Sequence, residues 1–247
     1  AALTDIEGRL RAVTASGAQG ALDPRGLCRD SRDPQVIDPN LSVLRLKDGA
    51  GQAVATIVNW SCHPEVIGRE NLLITADYPG PLCARVEEKT GGQCLFLNGM
   101  IGGLMTPDAA AETFPEAGRI GVAVADAALA LKPSATSRGL SYRSELVRVP
   151  VENSRYLLFL HALTGGHRLY NAAGAPIAPH WAWPLSIRHL IFGLPENRRP
   201  WVETEVSVLD IGPARLLGMP AEAFPEFGPE LQEQVEAAAA QRHECMG

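Results

Sequence analysis

The run Ala53-Val54-Ala55-Thr56-Ile57-Val58 leads into Asn59-Trp60-Ser61-Cys62-His63-Pro64. Its apolar, β-branched character reads as a strand buried in a sheet. Pro64 has no N–H to give to a ladder, so the chain must leave the sheet there, directly after a histidine. A polar residue at a strand end sits on the rim of a sheet, where sites are commonly built. Two further junctions of this kind follow. Ile74-Thr75-Ala76-Asp77-Tyr78-Pro79-Gly80 sets a carboxylate beside a Pro-Gly turn. Phe96-Leu97-Asn98-Gly99-Met100-Ile101-Gly102-Gly103-Leu104-Met105-Thr106-Pro107 runs from a second buried strand into a glycine-rich loop. Three strand-end junctions so close in sequence predict one shared site.

Around this centre the pattern alternates between strands and helices. Residues 3 to 15 read as a helix, with Thr4 and Glu7 at capping-box spacing and Ile6, Leu10 and Val13 on one face. Residues 17 to 40 read as a long loop, punctuated by Gly17, Gly20, Pro24, Gly26, Pro34 and Pro39 and carrying Arg25, Arg29 and Arg32. Such a loop either wraps a site or is a solvated connector. Ser42–Lys47 and Ala53–Trp60 read as a hairpin turning at Asp48-Gly49 and Gly51. Pro79 starts a helix with Leu82, Cys83 and Val86 inside, Gly91-Gly92 ends it, and Cys94–Leu97 is the next strand. Strand, helix, strand at this spacing implies parallel pairing.

A second, alanine-rich helix is expected over Pro115–Leu131, stopped by Pro133, and strands over Gly139–Val151, Val202–Leu209 and Ala214–Leu217. Asn153–Thr164 has helical character and Gly165-Gly166 breaks it. Pro176–Trp201, with Trp181, Trp183, Phe192 and Trp201, reads either as an aromatic-surfaced lid within an insertion at about 153–200 or as core. Ala221-Glu222-Ala223-Phe224-Pro225 opens a last helix expected to reach about His243. The whole predicts a single α/β domain over 1–247.

A chain of 247 residues with 46% hydrophobic and 20% charged side chains fits one such domain. The net charge of −6 and the lack of a basic run argue against a nucleic-acid partner. No apolar run is long enough for a transmembrane segment. No charged n-region and apolar h-region opens the chain, so no signal peptide is read; secreted, periplasmic and cytoplasmic placements stay open. The five cysteines are odd in number and none form CxxC, which argues against a zinc ribbon and for buried free thiols, with one disulfide still open.

On chemistry alone, His63 is a metal ligand, a general base or a hydrogen-bonded strand-end histidine. Glu222, at a strand-to-helix junction, is a ligand or a complement to the helix dipole. Asp77 needs a partner if buried. No GxGxxG, phosphate-cradling lysine or GxSxG pattern is present, which weakens nucleotide-binding and serine-hydrolase readings. Cys62 and His63 are adjacent, so on a strand they face opposite ways and cannot form a thiol–imidazole pair.

Taken in order, the junctions Val58–Pro64, Ile74–Gly80, Phe96–Pro107 and Leu217-Gly218-Met219-Pro220-Ala221-Glu222 resemble those of the neutral/alkaline, non-lysosomal ceramidase family. The resemblance runs from about Asn40 to Gly247 and is poorest over 152 to 200. It implies β-sheets sandwiched between helices, in αββα-like layers. It also implies a zinc-dependent amidohydrolase that splits ceramide or a similar N-acyl lipid, a small-molecule or lipid amide substrate. By motif, His63 matches one zinc-binding histidine and Glu222 the zinc-binding glutamate. Thr106 falls where the family has its nucleophilic serine, and Asp77 would orient a ligand.

The departures are specific. Residues 1 to 40 contain no histidine to match the family's first ligand, and its tyrosine ligand belongs to a motif that would follow Gly247. The chain is therefore expected to be a piece of a longer catalytic domain or a member lacking two ligands. Leu104 stands where the family has an acid. A non-catalytic binding or structural domain, and a metal-free hydrolase using Thr106 or a cysteine, remain as alternatives.

Overall fold

The computed structural model describes residues 13–151, 169–171, 173–176 and 200–228, with isolated positions at 184, 187, 188, 191, 192, 231 and 233. It is an α/β structure with mixed sheets. The chain divides into two compact units. The first comprises Ala1–Ser141, Leu209–Leu216 and Ala221–Gly247, and the second Tyr142–Val208 with Leu217–Pro220. Most of the expected insertion at about 153–200, including the helix over Asn153–Thr164 and both Trp181 and Trp183, lies outside the described residues.

In the first unit, strands β1 (Thr14–Ala21), β3 (Asn40–Lys47), β4 (Ala53–Trp60), β5 (Gln93–Asn98) and β7 (Ala135–Ser137) form one sheet, ordered β5-β4-β3-β1-β7. The β3–β4 hairpin is antiparallel, with Leu41 opposite Trp60. Its turn is an Asx arrangement: the Asp48 carboxylate accepts the Ala50 and Gln52 N–H groups at 2.9 Å each. Helix α1 (Pro79–Thr90) crosses over from β4 to β5, which pair in parallel with Trp60 opposite Asn98. Gly91, at φ +78°, ends α1 in the left-handed conformation that glycine adopts without steric cost. Helix α2 (Phe114–Ala130) starts from Thr113, whose hydroxyl accepts the Glu116 N–H.

The sheet alternates strictly in what it buries. Leu41, Val43, Val58 and Trp60 face α1 and α2, against Leu82, Val86, Ile120 and Val124. Leu44, Leu46, Ala55 and Ile57 face the other way, against Ile211, Ala214 and Leu216. Those last residues belong to β10 (Trp201–Ile211) and β11 (Ala214–Gly218). Within the first unit the sheet is thus covered by the helices on one face and by Ile211, Ala214 and Leu216 on the other. Strands β8 (Leu140–Pro150), β9 (Leu169–Tyr170), β10 and β11 form a second sheet, ordered β11-β10-β8 with β9 on β10. Two short strands, β2 (Cys28–Asp30) and β6 (Met105–Pro107), pair by themselves.

Three expectations change. Residues 14–15, read as the end of a helix, begin β1, and Gly17 and Gly20, read as loop, lie within it. The segment TASGAQGA has little β propensity of its own. It becomes a strand because it is paired on both sides, by β3 and β7, and because a bare Gly20 lets Leu131 close over it. Trp201, at the end of the segment read as either lid or core, is in β10, stacked on Tyr170 at 4.2 Å with the Arg148 guanidinium 4.3 Å from its ring centre. The last helix does not start at Ala221: residues 222–224 have no regular secondary structure and helical geometry begins at Phe227. The extent of that helix towards His243 is outside the described residues. Among the described residues no helix is long and apolar enough to cross a membrane.

Helices α1 and α2 approach closely enough that a side chain on Gly121 would collide with the Tyr78 carbonyl and the Leu82 backbone. Gly118, one turn earlier, has open space beside it. Gly121→Ala is therefore expected to cost about 1–3 kcal/mol, an overpacking penalty against backbone that cannot step aside. Gly118→Ala is expected to gain about 0.5–1 kcal/mol from helix propensity. Urea unfolding of the two variants checks the contrast; equal effects would mean the helices are not packed at this distance.

Candidate functional site

Hydrogen bonds within the first unit link the first three sequence junctions, or the loops that follow them, and the segment that carries Glu222. The His63 N–H donates to the Met105 carbonyl at 2.9 Å, joining the end of β4 to β6. The Asp77 carboxylate accepts the N–H groups of Val66 at 3.1 Å and Ile67 at 2.7 Å, joining the α1 entry to the loop that follows His63. The Gly102 N–H donates to the Ala223 carbonyl at 2.9 Å, joining the glycine loop to the segment that carries Glu222.

His63 is placed by its neighbours. Tyr78, fully buried between Trp60 and Phe96, donates its hydroxyl to the Cys62 carbonyl at 2.6 Å. Ser61, also buried, donates to Asp38 at 2.8 Å and accepts the Met100 N–H at 3.0 Å. The two residues before His63 are thus fixed; both Cys62 and His63 lie just past the last residue of β4, with the Cys62 side chain fully buried and the His63 side chain partly exposed.

The imidazole reaches Glu222 from there. His63 Nε2 and Glu222 Oε2 are 3.8 Å apart, with the histidine side chain 20% and the glutamate side chain 65% exposed. That separation is too long for a hydrogen bond. It suits a loose ion pair with a protonated imidazole. It also suits two ligands of one cation, since nitrogen and oxygen at zinc-ligand bond lengths lie about 3.4 Å apart around a tetrahedral ion. Imidazole nitrogen and carboxylate oxygen are the right donor types for zinc. Among the described residues no group of three or more His, Cys, Asp or Glu side chains converges on one point, so the donors present number two.

Asp77 is buried and does not point at this pair. Its oxygens are occupied by the backbone N–H groups of Val66, Ile67 and Tyr78. Its backbone sits at φ +54°, a left-handed conformation that Asp tolerates better than most residues. Its geometry is that of a clamp on the loop after His63. Thr106 lies on β6 opposite Arg29, one residue beyond the Met105 carbonyl that holds His63. Among the described residues its hydroxyl has no hydrogen-bonded base. Leu104 precedes it at φ +66° and is largely exposed, an unusual conformation for a branched residue.

Cys62, the cysteine next to His63, does not supply a reactive thiolate. Cys62 is buried and its thiol is pushed far up by that burial, with Cys28 adding to the effect. Cys28, Cys62, Cys83 and Cys94 are free thiols.

Sequence reading passed over a second cluster beside the first. Asp30, buried at the end of β2, accepts both the backbone N–H and the side-chain Nε of Arg32, and the Val36 N–H as well. Its carboxyl is held down to about 2, chiefly by the Arg32 side chain. Arg32 was visible only as one of three loop arginines. The other two differ: Arg25 pairs with its neighbour Asp23, and Arg29 faces outward on β2. The sequence signal was the crowding of charge in a segment too long to be a plain connector.

With this geometry in view, the fold has known counterparts. No family model matches the sequence, and no curated protein matches it. The structure is similar to the crystal structure of neutral ceramidase from Pseudomonas aeruginosa, with a TM-score of 0.64 at 18% identity, covering 92% of this chain and 43% of that one. It is equally similar to a ceramidase complexed with C2, with a TM-score of 0.64 at 19% identity, covering 93% of this chain and 45% of that one. The chain thus has the fold of part of these enzymes and spans less than half of their length.

Proposed function

We propose that this chain is the core of a zinc-dependent amidohydrolase of ceramidase type, acting on the amide bond of ceramide or a similar N-acyl lipid. The observation that carries the proposal is the meeting of His63 and Glu222 at 3.8 Å, from junctions at opposite ends of the first unit. The likeness in fold to two ceramidases supports the reading independently of the motifs.

A bound zinc ion would polarise the amide carbonyl and make a nucleophile available at neutral pH. The chain's own contribution is positional. His63 offers an imidazole nitrogen on a backbone fixed by the Met105 and Cys62 contacts. Glu222 offers a carboxylate from an exposed loop held against Gly102. Asp77 keeps the loop after His63 in place, and Thr106 puts a hydroxyl on the adjacent strand. A catalytic zinc site of this kind takes a third protein ligand besides these two.

The site as described favours a second reading, a binding domain that retains the fold without turnover: among the described residues only two donors converge, and the Thr106 hydroxyl has no hydrogen-bonded base there. A short-chain fluorescent ceramide separates the two. The amidohydrolase reading expects release of fatty acid and sphingoid base in equal amounts, abolished by a chelator and restored by zinc. Zinc and lipid binding with no release would support the binding-domain reading. Chelator-resistant release would overturn the metal dependence.

A further inference from the structure

The segment that carries Glu222 has little of its own to hold it. Residues 222–224 are irregular, Glu222 is exposed, and regular helix starts only at Phe227. A carboxylate on such a segment reaches a fixed imidazole reproducibly only if something rigid grips the segment. Arg32 does so from three sides. Its Nη1 donates to Glu226 at 2.6 Å. Its guanidinium lies 5.4 Å from the centre of the Phe224 ring. Its other edge forks onto the buried Asp30, with Nε–Oδ2 at 2.8 Å and Nη2–Oδ2 at 2.6 Å.

The glycine loop completes the grip. Gly103 lies so close to the Arg32 guanidinium that any Cβ would strike it, and a Cβ on Gly102 would come within 2.5 Å of the Glu222 carbonyl oxygen. Gly102-Gly103 is therefore bare because two layers press on it, the arginine on one residue and the Glu222 backbone on the next.

We infer that Arg32 is a positioning residue for the metal site: it ties the Phe224–Glu226 stretch to the buried Asp30 and so sets where Glu222 stands relative to His63. The inference rests on the reading of His63 and Glu222 as ligands. An arginine suits the task because its planar fork satisfies Asp30 and Glu226 at once while its face covers Phe224. A lysine presents one ammonium and cannot make all three contacts. Asp30 is fully buried, so the anchor point does not move with the surface.

The test uses the full 247-residue chain and two readouts. One is zinc affinity by competition with a chromophoric chelator. The other is hydrogen exchange at the Gly102 amide, whose bond to the Ala223 carbonyl reports directly on docking of the segment. Arg32→Met is expected to weaken zinc about 10–100-fold, the usual effect of removing a partner that orients a ligand. It is also expected to raise Gly102 exchange while the central β4 amides stay protected. Arg32→Lys should recover little of either. Glu226→Gln, which leaves the buried Asp30 pair intact and so keeps the fold, should raise Gly102 exchange by about two- to fivefold, in keeping with a half-exposed pair. Unchanged zinc affinity and unchanged Gly102 exchange in Arg32→Met would overturn the inference. Faster Gly102 exchange in a chain whose wild type binds no zinc would uphold the anchoring and overturn the metal reading.

Discussion

His63→Ala and Glu222→Ala are each expected to weaken zinc binding by more than the roughly 100-fold that loss of an outer partner costs, because each removes a bond to the ion itself. Stability should change little, since the Glu222 side chain is mostly exposed and the His63 backbone N–H keeps its bond to Met105 in the alanine variant. The double variant should bind no more weakly than the poorer single variant, because a site of so few donors fails as a unit and its members are coupled. Competition titrations on the four proteins give the full cycle. Independent, additive losses would mean that the two side chains do not share an ion.

Asp77→Ala is expected to be the most destabilising single change near the site, at about 3–5 kcal/mol. Three N–H groups, of Val66, Ile67 and Tyr78, lose a buried charged acceptor. Each buried group left unpaired costs about 1–3 kcal/mol, offset in part by water entering the gap. Alanine adds a penalty of roughly 1 kcal/mol for the left-handed backbone, here at φ +54°. Asp77→Asn, which keeps one acceptor oxygen and tolerates that conformation, should cost about half as much. Denaturant unfolding followed by circular dichroism measures both. A loss under about 1 kcal/mol in Asp77→Ala would show that the loop after His63 is held by something other than this carboxylate.

What could be read from the sequence was what local pattern controls. The β3–β4 hairpin, the start of α1 at Pro79, its end at Gly91 and the parallel partner β5 all carried their own turn, cap or periodicity signals. β1 carried none, because its strand character comes from neighbours on both sides rather than from its small residues. The same division runs through the site. His63, Asp77, Thr106 and Glu222 were each marked by a polar residue at a strand-end junction. Arg32 was not, because its defining partner Glu226 is distant in sequence and the glycines it presses on look like ordinary loop glycines until the fold brings them together. The role of Asp77 was legible as a need for a partner, but not as a clamp on three backbone groups.

The most direct test of the account is the zinc K-edge absorption spectrum of the wild-type chain after equilibration with zinc and removal of the excess. A zinc site on His63 and Glu222 should hold about one zinc per chain with nitrogen and oxygen neighbours at about 2.0–2.2 Å, and an imidazole signature that disappears in His63→Ala. No retained zinc, or a sulfur shell at about 2.3 Å from the cysteines, would contradict it.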